Sequence, residues 1–199
     1  MTRNRALKQA VRERAARTGE KYTAARRAVV EEAPPVDAAH IGRGRIPSVL
    51  VPAREVLSAG EAIRRVEREG RRALSMLDDD ELARFVPIEG VELPDGPAYL
   101  LVDVDTGHET RNVRPDDALV SIRAAGRSPL TIEEGIAVVT HHPETIARNV
   151  GWSLLASRCG DRRVAALWIS KGAPKLGWCW AGNPHTWLGS ASCAARVRL

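Results

Sequence analysis

The sequence predicts an α+β fold: a basic N-terminal helical pair, then a single domain with helices and a mostly antiparallel, Trp-rich C-terminal sheet. Two capping-box patterns, Ser58-x-x-Glu61 and Thr131-x-x-Glu134, mark helix starts in the middle of the chain. The last fifty residues carry short apolar runs separated by glycine and proline turns, which is typical of β-structure. Segregated helices and strands of this kind indicate the α+β class.

The first 32 residues have the composition of two short basic helices. An apolar stripe over residues 3–17 is flanked by arginines and lysines, and Thr18-Gly19 breaks the pattern. Gly19 is free to take the left-handed conformation that follows a helix. A second helix over residues 20–32 completes a helix-turn-helix-like unit.

A linker is predicted over residues 33–48, because Ala33-Pro34-Pro35 stops the second helix and further Gly and Pro residues follow. The segment 1–32 is therefore a basic two-helix module, and 49–199 is the α+β domain. Within that domain the helices are expected at Ser58 to about Leu77, Pro115 to Ala125, Thr131 to His141 and Pro143 to Asn149.

Strands are expected elsewhere in the domain. Residues 99–104 form one, with a hairpin turn at Asp105-Thr106-Gly107 and a return strand near 109–113. Near the C-terminus the predicted strands are Trp152–Ala156, Val164–Ser170, Leu176–Ala181 and Thr186–Leu188. The two-residue period places Trp178 and Trp180 on one face and Cys179 on the other.

Charge is distributed unevenly along the chain. Residues 1–30 and 145–199 each carry a net charge of +7, and residues 31–144 carry −9. Basic ends suit a polyanionic partner, but they could equally pair with the acidic middle of the same chain. No apolar run is long enough to span a membrane, and the N-terminus lacks the apolar core of a signal peptide. Three cysteines, an odd number, favour the cytoplasm, and the oligomeric state is left open.

The N-terminal helices are a candidate nucleic-acid contact, to DNA or RNA. Arginine side chains would bind phosphates, and the second helix would offer residues to base edges. The residues selected are Arg12, Arg17, Thr23, Arg26 and Arg27. The alternative is a solvated amphipathic hairpin without a ligand.

The tryptophans are the candidate ligand-binding residues. Four of the five lie within residues 158–193, among basic residues, and such a surface stacks flat ligands and neutralises phosphate. The residues selected are Trp178, Trp180, His185, Lys171, Lys175 and Arg162. The alternative is that these aromatic residues form the core of a chain with one phenylalanine and two tyrosines.

Catalytic chemistry is the second class of hypothesis. A small hydrolase or transferase would use a pocket lined by Trp178, Trp180 and His185, with Cys159 or a histidine as the reactive group. No motif fixes a catalytic residue. The spacing of Cys159, Cys179, His185 and Cys193 is unlike that of structural zinc sites, and the Asp103-to-Gly107 stretch lacks the ligands of a calcium loop. No metal and no cofactor are therefore predicted, and Asp105 is expected to stabilise its own turn.

The phrases YLLVDVDTG, GRSPLTIEEGIAVVTHHPE and SRCGDRRVAALWISKGAPKLGWCWAGNPHTWLGSASC resemble a family of uncharacterised actinobacterial proteins known only as a domain of unknown function. The resemblance covers about residues 45–199 and implies no activity. The phrase LKQAVRERAARTGEKYTAARRAV is similar to a basic leader that precedes unrelated domains in such bacteria. That similarity implies a portable binding or localising module at the N-terminus.

Overall fold

The structure is a computed structural model that describes residues 19, 21 and 44–199. The predicted N-terminal helices and most of the predicted linker lie outside these residues. Gly19 has a φ of 71°, in the left-handed region predicted for it. The first strand begins at Arg45, so the last four residues of the predicted linker belong to the sheet.

The described residues contain four α-helices. They are α1 (Ala59–Arg65), α2 (Asp79–Arg84), α3 (Pro115–Ala124) and α4 (Ile132–His141). Short 3-10 helices span His108–Thr110 and Pro143–Thr145. The predicted capping boxes at Ser58 and Thr131 are confirmed, and Asp78 with Glu81 forms a third at the start of α2. In the described part of the chain, no helix has the length and apolar character that crossing a bilayer requires.

The described residues also contain thirteen strands, most of them short. In chain order they are β1 (Arg45–Pro52), β2 (Glu67–Arg68), β3 (Arg71–Arg72), β4 (Leu74–Ser75), β5 (Val86–Pro87), β6 (Ala98–Asp105), β7 (Ser128–Pro129), β8 (Gly151–Leu154), β9 (Ser157–Arg158), β10 (Arg163–Ser170), β11 (Ala173–Trp180), β12 (Leu188–Ser190) and β13 (Ser192–Arg198).

Two larger sheets organise the domain. One is antiparallel with the order β1-β6-β13-β7. The other has the order β12-β8-β10-β11-β4, in which β8, β10 and β11 are antiparallel and the outer strands β12 and β4 are added parallel. The pairs β2–β3 and β5–β9 form small ribbons. The predicted α+β class is therefore confirmed.

Both faces of the five-stranded sheet are buried. Ala165 and Leu167 of β10 belong to the main core, which also takes residues from the four-stranded sheet, α1 and α4. Val164 and Ala166 point the other way and pack with residues of α3 in a second, smaller core. This alternation follows from the two-residue period of a strand.

The predicted helix from Ser58 to about Leu77 is wrong beyond Arg65. Glu69 and Gly70 have φ values of 51° and 72°, and they form the two-residue turn of the β2–β3 ribbon. Apolar residues at helical spacing suggested a longer helix. A turn with two left-handed residues ends it instead, because a left-handed pair is incompatible with an α-helix.

Two further predicted elements differ from the structure. The return strand near residues 109–113 is absent from the described chain, where β1 and β13 already occupy both edges of β6 and the chain turns into a 3-10 helix. The helix expected over 143–149 ends at Thr145, and Asn149 has a left-handed φ of 59°. The C-terminal strand β13 was not predicted.

Candidate functional site

The β10–β11 hairpin sets the positions of three tryptophans. Lys171 and Gly172 form its two-residue turn, with φ values of 52° and 81°. The register this turn imposes pairs Trp168 with Lys175 and Arg163 with Trp180. Directly paired residues share a sheet face, so Trp168 lies on the same side as Lys175.

The predicted ligand-binding residues are divided between the two faces of this sheet. Trp178 packs against the main core, whereas Trp168 packs with Cys179 against the second core. The ring contact of His185 is with Trp187, which also packs against the second core. The sheet therefore separates Trp178 from the surface on which Lys175 lies. Lys171 is exposed in the turn, and Arg162 is exposed just before β10.

Three rings form a continuous line on the second-core side, which we call the aromatic row: His185, Trp187 and Trp168, with Lys175. The ring centroids of His185 and Trp187 are 5.6 Å apart, and those of Trp187 and Trp168 are 6.1 Å apart with the planes at 67°. The Lys175 ammonium lies 5.9 Å from the Trp168 ring centroid. All four side chains remain partly exposed. The row is thus an aromatic surface with a cation at one end.

Gly177 creates the space in which Trp168 lies. A Cβ atom at position 177 would stand 2.4 Å from Cη2 of Trp168 and 2.9 Å from Sδ of Met76. Met76 follows the edge strand β4 and is 51% exposed, so it extends the apolar surface beyond the row. The glycine therefore lets the indole lie directly against the sheet backbone.

Backbone hydrogen bonds fix the loop that carries the other two rings. The amide of Asn112 donates to the carbonyl of His185 at 2.9 Å, and the amide of Gly151 donates to the carbonyl of Trp187 at 3.0 Å. Both ends of this aromatic segment are thereby tied to neighbouring elements. The row is preformed, which lowers the entropic cost of binding.

Cations border the turn end of the hairpin. Lys171 and Lys175 lie on the hairpin itself. The Arg71 guanidinium donates to the carbonyl of Lys171 at 3.1 Å, which holds a third cation beside the turn. An anionic group bound near the aromatic row would find this positive charge within reach.

The opposite face carries a self-contained arginine cluster: Arg163, Asp161, Glu81, Phe85 and Trp178. The Arg163 side chain is 15% exposed and pairs with Asp161 at 2.9 Å and Glu81 at 3.1 Å. Its guanidinium lies 5.9 Å from both the Phe85 and Trp178 ring centroids. A hydrogen bond from the Arg163 amide lowers the pKa of Asp161. The polar groups of this cluster satisfy one another, so it stabilises the fold.

Trp180 is the solvent-exposed aromatic residue of that face. Its ring meets Trp178 edge-on at 4.8 Å, and it is 46% exposed. Of the predicted pair, Trp178 is packed and Trp180 faces solvent. The two tryptophans therefore do not form a pair of equivalent ligand contacts.

The cysteines lack the features of nucleophiles. The Cys159 thiol donates to Asp161 at 3.3 Å, and Cys179 lies 3.6 Å from Ser153 Oγ. Burial raises the pKa of both thiols, which disfavours the reactive thiolate. Cys193 is buried in β13. Among residues 44–199, no three His, Cys, Asp or Glu side chains group together as metal ligands.

Two residues of the row were missed by sequence reasoning. The predicted set contains Lys175 and His185 but neither Trp168 nor Trp187. A signal was available, because a two-residue turn at Lys171-Gly172 fixes the pairing of Trp168 with Lys175. The contact between Trp187 and Trp168 depends on a loop whose path no local pattern specifies. Asp105 accepts a hydrogen bond from the Gly107 amide at 2.8 Å, as expected for a residue stabilising its own turn.

The predicted nucleic-acid residues Arg12, Arg17, Thr23, Arg26 and Arg27 lie outside the described residues. Their role remains a prediction from composition and charge.

Comparison with known proteins places the chain in a family. Searches of the curated proteins and of the solved structures find no match. A family model matches residues 5–199, a range that includes most of the basic segment as well as the domain described above. The chain therefore belongs to the Family of unknown function (DUF5701).

Proposed function

We propose that this protein is a non-enzymatic binding protein whose aromatic row holds a flat, anionic ligand, with a base of single-stranded DNA or RNA as the model ligand. The observation that carries the proposal is the contiguous line of His185, Trp187 and Trp168 with Lys175 at its end. Aromatic side chains stack on bases of any sequence, and nearby cations neutralise the phosphate.

Preorganisation and free positive charge support this surface over the rest of the hairpin. The row is partly exposed and its loop is tied by backbone hydrogen bonds, whereas Trp178, which is also partly exposed, lies beside an arginine that is already paired with two carboxylates. The cations Lys171, Lys175 and Arg71 lie on or beside the same hairpin. A ligand on the row would therefore meet aromatic faces and positive charge together.

The basic N-terminal segment supplies the second part of the proposal. Residues 1–30 carry a net charge of +7, and we propose that Arg12, Arg17, Thr23, Arg26 and Arg27 contact the phosphates and base edges of the same polyanion. The cytoplasm is the proposed location, since the odd number of cysteines suits a reducing compartment.

The enzymatic alternative has less support. It requires a reactive cysteine or histidine beside Trp178 and Trp180. The hydrogen-bond partners of Cys159 and Cys179 are Asp161 and Ser153, and the ring partner of His185 is Trp187. No nucleophile–base pair of the kind that covalent catalysis needs is formed by these residues.

A binding titration with matched tryptophan variants tests the proposal. Fluorescence anisotropy of labelled single-stranded oligonucleotides, DNA and RNA, is recorded against the full chain, Trp187→Ala and Trp180→Ala. Loss of one stacking contact is expected to weaken binding by about tenfold in Trp187→Ala. Trp180→Ala is the control, because it removes an exposed tryptophan from the opposite face. Equal effects of both substitutions, or no binding by the full chain, would contradict the proposal.

A further inference from the structure

A second candidate site lies between α1 and α4, away from the aromatic row. It is an apolar cleft of about 220 Å³ whose apolar residues come from both helices, from the end of β1 and from the segment between β1 and α1. These residues are Pro52, Leu57, Ala62, Ile136 and Ala137. The proposed function uses none of them.

The two helices run in the same direction along this cleft. At one end Arg54, just before α1, binds Glu133 in the first turn of α4. At the other end Arg68, just after α1, donates to the carbonyl of Pro143, just after α4. Arg65 in the last turn of α1 and His141 in the last turn of α4 therefore lie at the same end of the cleft.

Some of the polar groups around the cleft have an ion-pair partner and others do not. Glu133 is neutralised, because its Oε1 accepts from Arg54 Nε at 2.7 Å. Arg65 and His141 make no ion pair with any other residue of the described chain, and both are exposed at the rim. An apolar cleft with the Arg65 guanidinium and the N–H donor of the His141 imidazole at one end is complementary to an anion that carries an apolar tail.

We infer that this cleft binds a small amphipathic carboxylate, with its apolar part between α1 and α4 and its carboxylate at Arg65 and His141. The volume suits a tail of about eight carbon atoms, since an apolar cavity of about 150 Å³ accommodates benzene. A cationic group at this end would be repelled by Arg65. A fully polar ligand would lose its hydration against the apolar residues and gain no hydrogen bonds from them. A guanidinium is suited to a carboxylate because it can donate two parallel hydrogen bonds.

Chain length provides the first test. The full chain is titrated with butanoate, hexanoate and octanoate by isothermal calorimetry, with the Ile136 methyl signals followed by NMR. Affinity is expected to rise by about fourfold for each added methylene until the cleft is filled. Hexanamide, which lacks the charge, is expected to bind more weakly than hexanoate. Affinity that is independent of chain length, or equal for the amide and the acid, would overturn the inference.

Neighbouring arginines provide a matched pair of variants. Arg65→Gln is expected to weaken hexanoate binding by roughly threefold to fivefold. Arg64→Gln, the control, alters an exposed arginine that pairs with Asp79 outside the cleft, and should leave the affinity unchanged. Ala62→Leu should abolish octanoate binding by filling the cleft while the protein stays folded. Equal affinities of Arg65→Gln and Arg64→Gln, or octanoate binding retained in Ala62→Leu, would refute the site. Titration of Arg65→Gln with the labelled oligonucleotide tests the proposed function of the aromatic row independently of the cleft.

Discussion

The indole of Trp168 lies against the backbone of Gly177 on the neighbouring strand. The two residues are diagonal neighbours across the β10–β11 pair, and no side chain at 177 would leave room for the ring. This contact holds the end of the aromatic row nearest Lys175 in place. A glycine in the middle of a strand is usually unfavourable, so its presence here marks a close approach.

Replacing Gly177 with alanine is expected to displace Trp168. Overpacking of this kind costs about 1–3 kcal/mol in the free energy of unfolding. Urea denaturation measures the loss, and the indole signal of Trp168 should shift. Gly182→Ala is the control, because the group its Cβ would meet is the flexible end of Arg162. A Gly177→Ala protein as stable as Gly182→Ala would show that Trp168 does not depend on this contact.

The buried ion pair of Glu134 and Arg196 is expected to be important for stability. Glu134 is 0% exposed and accepts from Tyr99 Oη at 2.9 Å, from the Thr131 amide at 2.8 Å and from Arg196 Nη2 at 2.8 Å. Arg196→Met would leave this carboxylate buried without its cation, at a cost of about 3–5 kcal/mol. Thermal and urea unfolding measure the effect.

A double substitution separates the charge from the packing. Adding Glu134→Gln to Arg196→Met removes the uncompensated charge, so part of the lost stability should return. Arg64→Gln breaks an exposed pair and should change stability little. If the double variant is less stable than Arg196→Met alone, then the buried charge is not the cause of the loss.

Helix starts were predictable where a local pattern determines them. The capping boxes at Ser58 and Thr131 were recognisable because both partners lie within one turn. The end of α1 was not, because the Glu69–Gly70 turn competes with an apolar pattern that also fits a helix. The salt bridge of Glu134 with Arg196 joins residues 62 positions apart, and β13 pairs with the still more distant strand β6, so no local signal reveals either.

The candidate site shows the same division. Strand periodicity correctly placed Trp178 and Trp180 on one face and Cys179 on the other. Tertiary packing determines the surroundings of each ring. Trp178 belongs to the arginine cluster, and Trp168 and Trp187 belong to the aromatic row. Which face of a doubly covered sheet stays accessible depends on how α3 and the loop around His185 pack, and that is a tertiary property.

We expect the protein to become less stable at alkaline pH because of the buried thiol of Cys179. Burial raises its pKa in the folded state. Above about pH 8.5 the thiol ionises in the unfolded chain while the folded protein still holds the proton, so the free energy of unfolding falls with rising pH. The loss continues until the folded-state pKa is reached. The free energy of unfolding is measured by urea denaturation at pH 7.5 and pH 10. It should decrease less between these pH values for Cys179→Ala than for the unsubstituted protein. Equal decreases would argue against a protonated buried thiol.

Salt dependence tests the basic N-terminal segment. If Arg12, Arg17, Arg26 and Arg27 bind phosphates of duplex DNA, log affinity should fall with log salt at a slope of about −3 to −4. Arg26→Ala with Arg27→Ala should flatten the slope by about two units and weaken all sequences alike, unless these residues reach base edges. The same titration is run with structured RNA. Identical weak curves for both proteins would end the hypothesis for this segment.

The indole N–H signals of the five tryptophans show which face of the hairpin binds the oligonucleotide. An NMR titration of the labelled full chain with a short single-stranded oligonucleotide reports on each indole separately. We expect the signals of Trp168 and Trp187 to shift and broaden with added ligand, while those of Trp152, Trp178 and Trp180 stay in place. A shift confined to Trp180, or no indole shift when the oligonucleotide is bound, would contradict the assignment of the aromatic row as the binding surface.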